Sequence, residues 1–480
     1  MNSFLLHGGQ KGLEGLLSQV KIPHGAKVPE EFTGKVVIRY GSDASDCPGY
    51  SVLQPAKAVR RAMHKRKREE LLSLHGVKTL QSFGREATPQ FYPYRYRVAV
   101  FHLEVLAVYE RKASLWSNSD LTFSASSGYA ELDSGSAAFH ARRAAREAVK
   151  ALYALGLDYG IVSIGVLPDR HTLVLDIDPA PLLDERLSEM FAGAINRYDE
   201  ELSRELRREE PAMLGSDPEF LLRSPQGKVV SASRFLEREG RVGCDGIVLR
   251  GHRVILPLAE LRPQPSAEPR ELARNLRRTM RLAARRIHDE SLAWLSGGMP
   301  LKGFPLGGHI HFSRCWLNVH LLRALDNYLA LPLMLIEGET TRCRRPRYGY
   351  LGDFRKQPHG GFEYRTLPSW LESPAVTRGV FALAALIAGQ YWTLSSQPLL
   401  SAAVQAIYYR GDKEQARGIV RGLWDEMAAL EAYSRYAQDL ESLRERVLRM
   451  EPWNELADFR KAWEIPPYHR KEVTDPHFML

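Results

Sequence analysis

The stretch GGHIHF, residues 307–312, carries two histidines separated by one isoleucine. In a β-strand side chains alternate between faces, so His309 and His311 point one way and Ile310 and Phe312 the other. Two imidazoles on one face serve a metal ion or a substrate, or they are the polar side of an amphipathic strand. Three other stretches repeat the device. GSDPEFLL (215–222) sets Asp217 and Glu219 against Phe220 and Leu222. LAELRPQP (258–265) sets Glu260 and Arg262 against Ala259 and Leu261. GFEYRTLP (361–368) sets Glu363 and Arg365 against Phe362 and Tyr364. If the four strands share a sheet, one face gathers one aspartate, three glutamates, two histidines and two arginines. Crowded carboxylates repel one another and resist ionisation unless cations neutralise them. Oxygen-rich clusters with an imidazole suit Mg²⁺ or Mn²⁺ better than a structural zinc. Arginines among the carboxylates point to an anion beside the metal, and phosphate meets both.

The elements that must position these residues fall into two regions. Residues 1 to about 205 read as α/β or α+β, with a strand in GKVVIRYGS (34–42), a helix over 55–77, a hairpin over 94–112, a helix over 137–158 ending at Gly156, and two strands over 159–181. A helix over 188–214 becomes highly charged and stops at Pro211, where the domain boundary falls. Beyond it, strand patterns occur at 215–223, 228–232, 246–250, 254–262, 306–313 and 360–367. An Arg-rich helix spans 268–290 and another lies near 317–338. From about 374 the chain reads as wholly helical. The most apolar run, GVFALAALIAG (379–389), is too short to span a bilayer and reads as a buried helix.

The 480 residues include 66 Lys and Arg against 57 Asp and Glu, a net charge of +9. At this length that is modest, and no motif for reading nucleic acid accompanies it, so neither a nucleic-acid nor a membrane partner is expected. Cys47, Cys244, Cys315 and Cys343 match no zinc spacing and no disulfide framework. The first residues, MNSFLLHGGQ, lack a signal-peptide pattern, so a reducing cytoplasmic setting is expected.

GSDPEF, GCDG, ELRPQP, LGGHIHF, YGYLGDFR and GFEYRTLPSWLESP, in this order over 213–375, resemble the motifs of the phage-type carboxylate–amine ligases. This is the type 2 COOH–NH2 ligase group of the amidoligase superfamily, which shares its catalytic fold with glutamine synthetase and glutamate–cysteine ligase. The resemblance implies an α+β fold: a curved antiparallel sheet with outer helices over 211–375, completed by a helical part over 376–480. It implies an enzyme that uses ATP to phosphorylate a carboxylate, which an amine then attacks, leaving an amide, ADP and phosphate. Its cofactors would be ATP and Mg²⁺ (or Mn²⁺). Asp217, Glu219, Glu260, His309 and Glu363 correspond to its metal ligands, with His309 also near the nucleotide phosphates. Arg365 and Arg355 correspond to arginines that bind phosphate and neutralise the γ-phosphate, His311 faces substrate or phosphate, and Arg262 belongs to the nucleotide-binding set. The substrates would be small-molecule or peptide carboxylates and amines, and the helical tail offers a homodimer contact.

Several residues keep two readings. Gly307 and Gly308 either admit a ligand close to the backbone or start the strand. Asp245 either binds an amine or is a turn aspartate before Gly246. The run RCRRPR (342–347) either clamps a substrate anion or is a solvated loop.

Residues 1–210 bear a fainter resemblance to ATP-grasp proteins, through VVIRYGS, the helix after it, YRYRVAV and LVLDIDPAP. The Gly-rich, Lys-bearing nucleotide lid of that family has no room between the turn at Gly76–Val77 and YRYRVAV. Ser163 stands where a metal aspartate is expected, and Asp176 and Asp178 stand at the position of its last ligand pair, where they still suit a metal. The region therefore reads as a truncated ATP-grasp-like domain without its own catalysis. Two competing readings of the whole chain are a metal-dependent hydrolase built on the H-x-H strand and a non-catalytic binding protein that keeps the fold.

Overall fold

In the computed structural model, residues 1–10, 12–41, 47, 49–83, 92–112, 128–133, 138–248 and 254–468 are described. The chain divides into two units, Met1–Glu209 and Glu210–Leu480.

The first unit holds two sheets. Ser3–His7 is flanked in parallel by His24–Gly25 and Val36–Tyr40, and Ser51–Leu53 pairs onto the latter. The second sheet is antiparallel, in the order Ala130–Glu131, Glu104–Lys112, Tyr94–Phe101, Tyr159–Val166, Thr172–Asp178. The expected hairpin closes through His102 and Leu103, both at positive φ, as a two-residue turn with the twist of its strands requires. Phe139–Leu155 presents Ala141, Ala144, Ala148 and Ala151 to Val98, Val162 and Ile164. This is helical spacing of small residues, which lets the helix sit close on the sheet. Gly156, at φ 75°, ends that helix in the left-handed conformation. The helix expected over 55–77 is two, Ala56–Met63 and Lys65–Leu74, because His64 turns extended between them. The long charged helix runs Glu185–Leu206, capped by the Asp184 carboxylate on the Leu187 N–H at 2.8 Å, and ends before Pro211.

The second unit carries the four polar pairs on two sheets, which corrects the expectation of one. The first is ordered Met213–Ser216, Ile310–Ser313, Phe362–Tyr364, Phe354–Lys356. The second is ordered Val229–Val230, Glu219–Arg223, Val254–Leu261, Val242–Val248, with Ala293–Leu295 also on Glu219–Arg223. Pro218 is the cause. It has no N–H to donate, so the ladder cannot run through it. The chain pairs with the H-x-H strand before Pro218 and with the Glu260 strand after it. The strand expected over 246–250 begins earlier, at Val242, and its residues 249–250 lie outside the described residues. Phe354–Lys356 and Ala293–Leu295 are strands that periodicity did not indicate.

Helices back these sheets. Pro269–Arg286 matches the Arg-rich pattern, with its buried stripe of Leu272, Leu276, Met280 and Ala283. Pro374–Gln390 is apolar and almost wholly buried. Among the described residues no helix is long and apolar enough to cross a membrane, and no strand follows Phe362–Tyr364. The helix expected near 317–338 runs Val319–Leu325, widens into a π turn at Asp326–Ala330, and closes as Leu331–Met334.

Candidate active site

The bend at Asp217–Pro218 draws the two sheets together. Asp217 N–H donates to the His309 carbonyl at 3.3 Å, Glu219 N–H to the Gly307 carbonyl at 2.9 Å, and Leu261 N–H to the Pro218 carbonyl at 3.1 Å. Register then aligns the faces. His311 lies opposite Glu363, and Glu363 opposite Arg355. Glu219 lies opposite Glu260. The polar members of all four pairs therefore converge, across two sheets rather than one.

Their contacts are close. His309 Nδ1 lies 3.2 Å from Asp217 Oδ1 and 3.0 Å from Glu363 Oε1. His311 Nε2 lies 3.1 Å from Asp217 Oδ2. Arg365 Nε is 3.0 Å from Glu363 Oε1, and Arg355 Nε donates to Glu363 Oε2 at 2.7 Å. Glu219 Oε2 accepts from the Gly307 N–H at 2.6 Å. Glu260 pairs with Arg262, which also donates to the carbonyls of Arg238 and Gly240. Asp217, Glu219, Glu260, His309 and Glu363 are all buried, while Arg355 is exposed.

Burying so many charges together shifts their protons. Burial alone would lower His309, but Asp217 and Glu363 outweigh it and hold its pKa up at about 10. Burial raises Glu219 to about 7 against the pull of His309 and the Gly307 N–H. Burial, with Asp217 beside it, raises Glu260 to about 9. Burial also works to raise Asp217 and Glu363, yet His309 holds both below the ordinary carboxylate range. A divalent cation bound here displaces such protons.

The donor set fits such an ion. Asp217, His309 and Glu363 each offer a ligand atom within 4.8 Å of the others, the one group of its kind among the described residues. Asp217 Oδ1, His309 Nδ1 and Glu363 Oε1 are buried, and none makes a directed hydrogen bond despite their proximity. Two carboxylate oxygens and an imidazole nitrogen, with Glu219 and Glu260 alongside, are ligands for Mg²⁺ or Mn²⁺.

The open readings resolve individually. A Cβ on Gly307 would stand 2.2 Å from His309 Nε2, so this glycine makes room for the imidazole. A Cβ on Gly308 would meet the Pro368 carbonyl at 2.2 Å. Gly307→Ala is expected to displace His309 and to weaken binding of Mn²⁺ by about tenfold or more. Calorimetric titration with MnCl₂ checks this, and wild-type affinity in the variant would refute it. Asp245 is in a strand, at a bulge, with Oδ1 accepting from the Gly246 N–H at 2.7 Å. In RCRRPR neither reading holds for Arg344 and Arg345. Both are buried: Arg344 donates to the Thr366 carbonyl at 2.9 Å, and Arg345 to the Glu337 carboxylate at 2.6 Å. Arg342 and Arg347 are exposed. In the first unit Asp176 pairs with Arg68 at 3.1 Å, and Asp178 accepts from the Ala180 N–H at 3.0 Å.

Two contributors escaped sequence reasoning. Gln357 Nε2 donates to Glu363 Oε2 at 3.0 Å. Asp353 is surrounded by Arg365, Tyr350, His309 and Arg344, and burial raises its pKa. Asp353, Arg355 and Gln357 alternate in DFRKQ, a period-two signal hidden by the flanking Gly352 and Pro358. Arg344 lies in the RCRRPR run already singled out, where nothing local marks it as one of the buried arginines.

No curated protein matches the chain. Among solved structures, it is similar to macrocyclase MdnC bound with precursor peptide MdnA from Microcystis aeruginosa MRC, at 10% identity over 41% of this chain and 99% of that one, TM-score 0.27. It is similar to a RiPP-associated ATP-grasp ligase from Chryseobacterium gregarium at 9% identity over 41% and 97%, TM-score 0.29. D-alanine–D-alanine ligase from Aeromonas hydrophila matches at 14% identity over 43% and 100%, TM-score 0.28. The family model of the phage phiEco32-like COOH.NH2 ligases, type 2, matches residues 214–465, a span that holds every one of the converging site residues. By that match over more than half of its length, the chain belongs to the phage phiEco32-like COOH.NH2 ligase-type 2 family and with it to the amide-bond-forming ligases.

Proposed function

We propose that residues 211–480 form the catalytic part of an ATP-dependent carboxylate–amine ligase of the glutamine synthetase kind, with its site gathered between two antiparallel sheets. The observation that carries this reading is the convergence of Asp217, His309 and Glu363 with two arginines on the same carboxylate. A carboxylate is a poor electrophile, because its charge repels an attacking amine and it lacks a leaving group. Transfer of the γ-phosphoryl group to its oxygen leaves ADP and an acyl phosphate. The amine nitrogen then bonds to the acyl carbon, loses a proton, and phosphate departs. Asp217, His309 and Glu363, with Glu219 and Glu260, would hold Mg²⁺ or Mn²⁺, which when bound offsets charge on the transferring phosphoryl group. Arg355 and Arg365 supply fixed positive charge where negative charge gathers, without reorganising at the moment of reaction. His311 faces the same pocket from the Asp217 side. Arg262, tied to Glu260 and two carbonyls, holds that carboxylate in place and would belong to the nucleotide-binding set.

The substrates are small-molecule or peptide carboxylates and amines. The first unit is read as a truncated ATP-grasp-like domain without its own reaction. Its Asp176 is neutralised by Arg68, and its Asp178 is bonded to its own turn.

The test is ADP release from Mg²⁺-ATP with pooled amino acids and peptides, with mass spectrometry of the amide product. ADP is expected only with particular carboxylate and amine pairs. Mg²⁺ at about a hundredfold excess over its Kd should add about 2.7 kcal/mol to stability, seen as a rise in Tm that EDTA reverses. Nucleotide-independent chemistry, with no ADP from any pool, would favour the hydrolase instead.

A further inference from the structure

Behind the Glu363 strand lies a second acidic residue, Asp326, buried where the helix widens into its π turn. Such turns are rare and are frequently found at functional sites. This one gives Asp326 and Asn327, neighbours in sequence, separate buried partners. Asn327 donates to the Arg323 carbonyl at 2.8 Å and accepts from the Leu399 N–H at 2.9 Å. Asp326 Oδ1 accepts from the Tyr364 hydroxyl at 2.7 Å and from the Gly352 N–H at 3.1 Å.

One donor is on the strand of Glu363, and the other lies two residues before the strand of Arg355. Tyr364 points away from the site, while Glu363 and Arg365, on either side of it, point into it. Gly352 leads into the strand of Arg355, and the Asp353 carbonyl after it accepts from the Arg365 N–H at 2.8 Å. One carboxylate oxygen therefore ties both strands from behind. We propose that Asp326 is a positioning residue: through Tyr364 and Gly352 it sets the placement of Glu363, Arg365 and Arg355 relative to one another. Strand Phe362–Tyr364 is only three residues long, so its own ladder gives it little purchase. The clamp supplies the constraint that a short strand lacks, and a site of this kind must be held to about 0.5 Å to work. The inference rests on the ligase reading only for what Glu363 does in turnover; its structural content is read by metal affinity.

The experiment uses the full chain and three variants. Asp326→Ala removes both bonds, Tyr364→Phe removes one, and Asp326→Asn keeps an oxygen that accepts both. Mn²⁺ binding is measured by calorimetry, Tm by scanning calorimetry, and ADP formation across a Mg²⁺ titration. Asp326→Ala is expected to weaken Mn²⁺ binding by about tenfold or more, as loss of outer partners does at metal sites. The Mg²⁺ needed for half-maximal turnover should rise by the same factor. Tyr364→Phe should fall between, and Asp326→Asn should restore wild-type Mn²⁺ affinity. A residue that merely stabilised the fold would lower Tm and leave Mn²⁺ affinity alone. Wild-type Mn²⁺ affinity in folded Asp326→Ala overturns the proposal. Where that variant fails to fold, Tyr364→Phe decides in the same way. A wild-type chain that binds Mn²⁺ yet forms no ADP defeats the ligase reading while the clamp stands on its Mn²⁺ data; one that binds no Mn²⁺ overturns both.

Discussion

Glu363→Ala is expected to lower ADP formation by about three orders of magnitude while the chain stays folded. Glu363 has no solvent exposure and meets four partners: His309 at 3.0 Å, Arg365 at 3.0 Å, Arg355 at 2.7 Å and Gln357 at 3.0 Å. No other carboxylate at the site touches both an imidazole and two guanidinium groups. Removing it takes away a metal ligand and frees two arginines to swing or to bind the wrong anion. Glu363→Gln preserves shape but not charge, and its amide nitrogen cannot accept from the donors that face one of the two oxygens, so a loss nearly as large assigns the effect to the carboxylate itself. Recovery of activity in the Gln variant would assign it to geometry instead. Circular dichroism separates either outcome from unfolding, and MnCl₂ titration should show the ligand lost in both variants. Activity within about tenfold of wild type in Glu363→Ala would remove the residue from the catalytic set.

Glu337→Ala is expected to destabilise the second unit by about 3–5 kcal/mol, the penalty for stranding a buried charge. Arg345 side-chain exposure is 1% and that of Glu337 is 4%. The guanidinium donates to both carboxylate oxygens at 2.6 Å and stacks on the Tyr408 ring at 4.1 Å. With Glu337 removed, the cation keeps the aromatic face and loses its anion. For a unit of this size the loss corresponds to a drop of about 10 °C in Tm. Replacing both partners by methionine should recover most of the loss, because two apolar side chains of similar volume need no counter-charge. Scanning calorimetry of Glu337→Ala and of the double methionine variant tests this. An unchanged Tm in Glu337→Ala would mean that Arg345 finds water or another acceptor, and that the pair does not hold the segment.

The two predictions draw on residues with very different legibility. Glu363 stood out in GFEYRTLP because strand alternation is local: Glu363 and Arg365 must share a face whatever the fold around them. The hairpin over 94–112, the cap at Gly156 and the Arg-rich helix were legible for the same reason, since turn chemistry and apolar spacing act within a few residues. Arg345 sits in RCRRPR beside Arg342 and Arg347, and nothing in that run distinguishes the buried arginines from the exposed ones. Its burial follows from Glu337, in the bend after Leu331–Met334, and from Tyr408 of the helix Ala402–Arg410, which packing brings to it. Asp326 was equally silent, because its partners Tyr364 and Gly352 are brought to it only by the sheet.

The sequence by itself determined which side chains share a face, because each residue's direction along a strand depends only on its own backbone. It also determined the donor types, and so the kind of ion and anion they suit. Which faces meet was decided by tertiary structure alone. Pro218 interrupts one strand, splits four polar pairs between two sheets, and lets Glu219 take the N–H of Gly307, 88 residues away, so that the carboxylates gather at the bend. A contact of that span is set by the balance of the whole unit's packing, which no local pattern encodes.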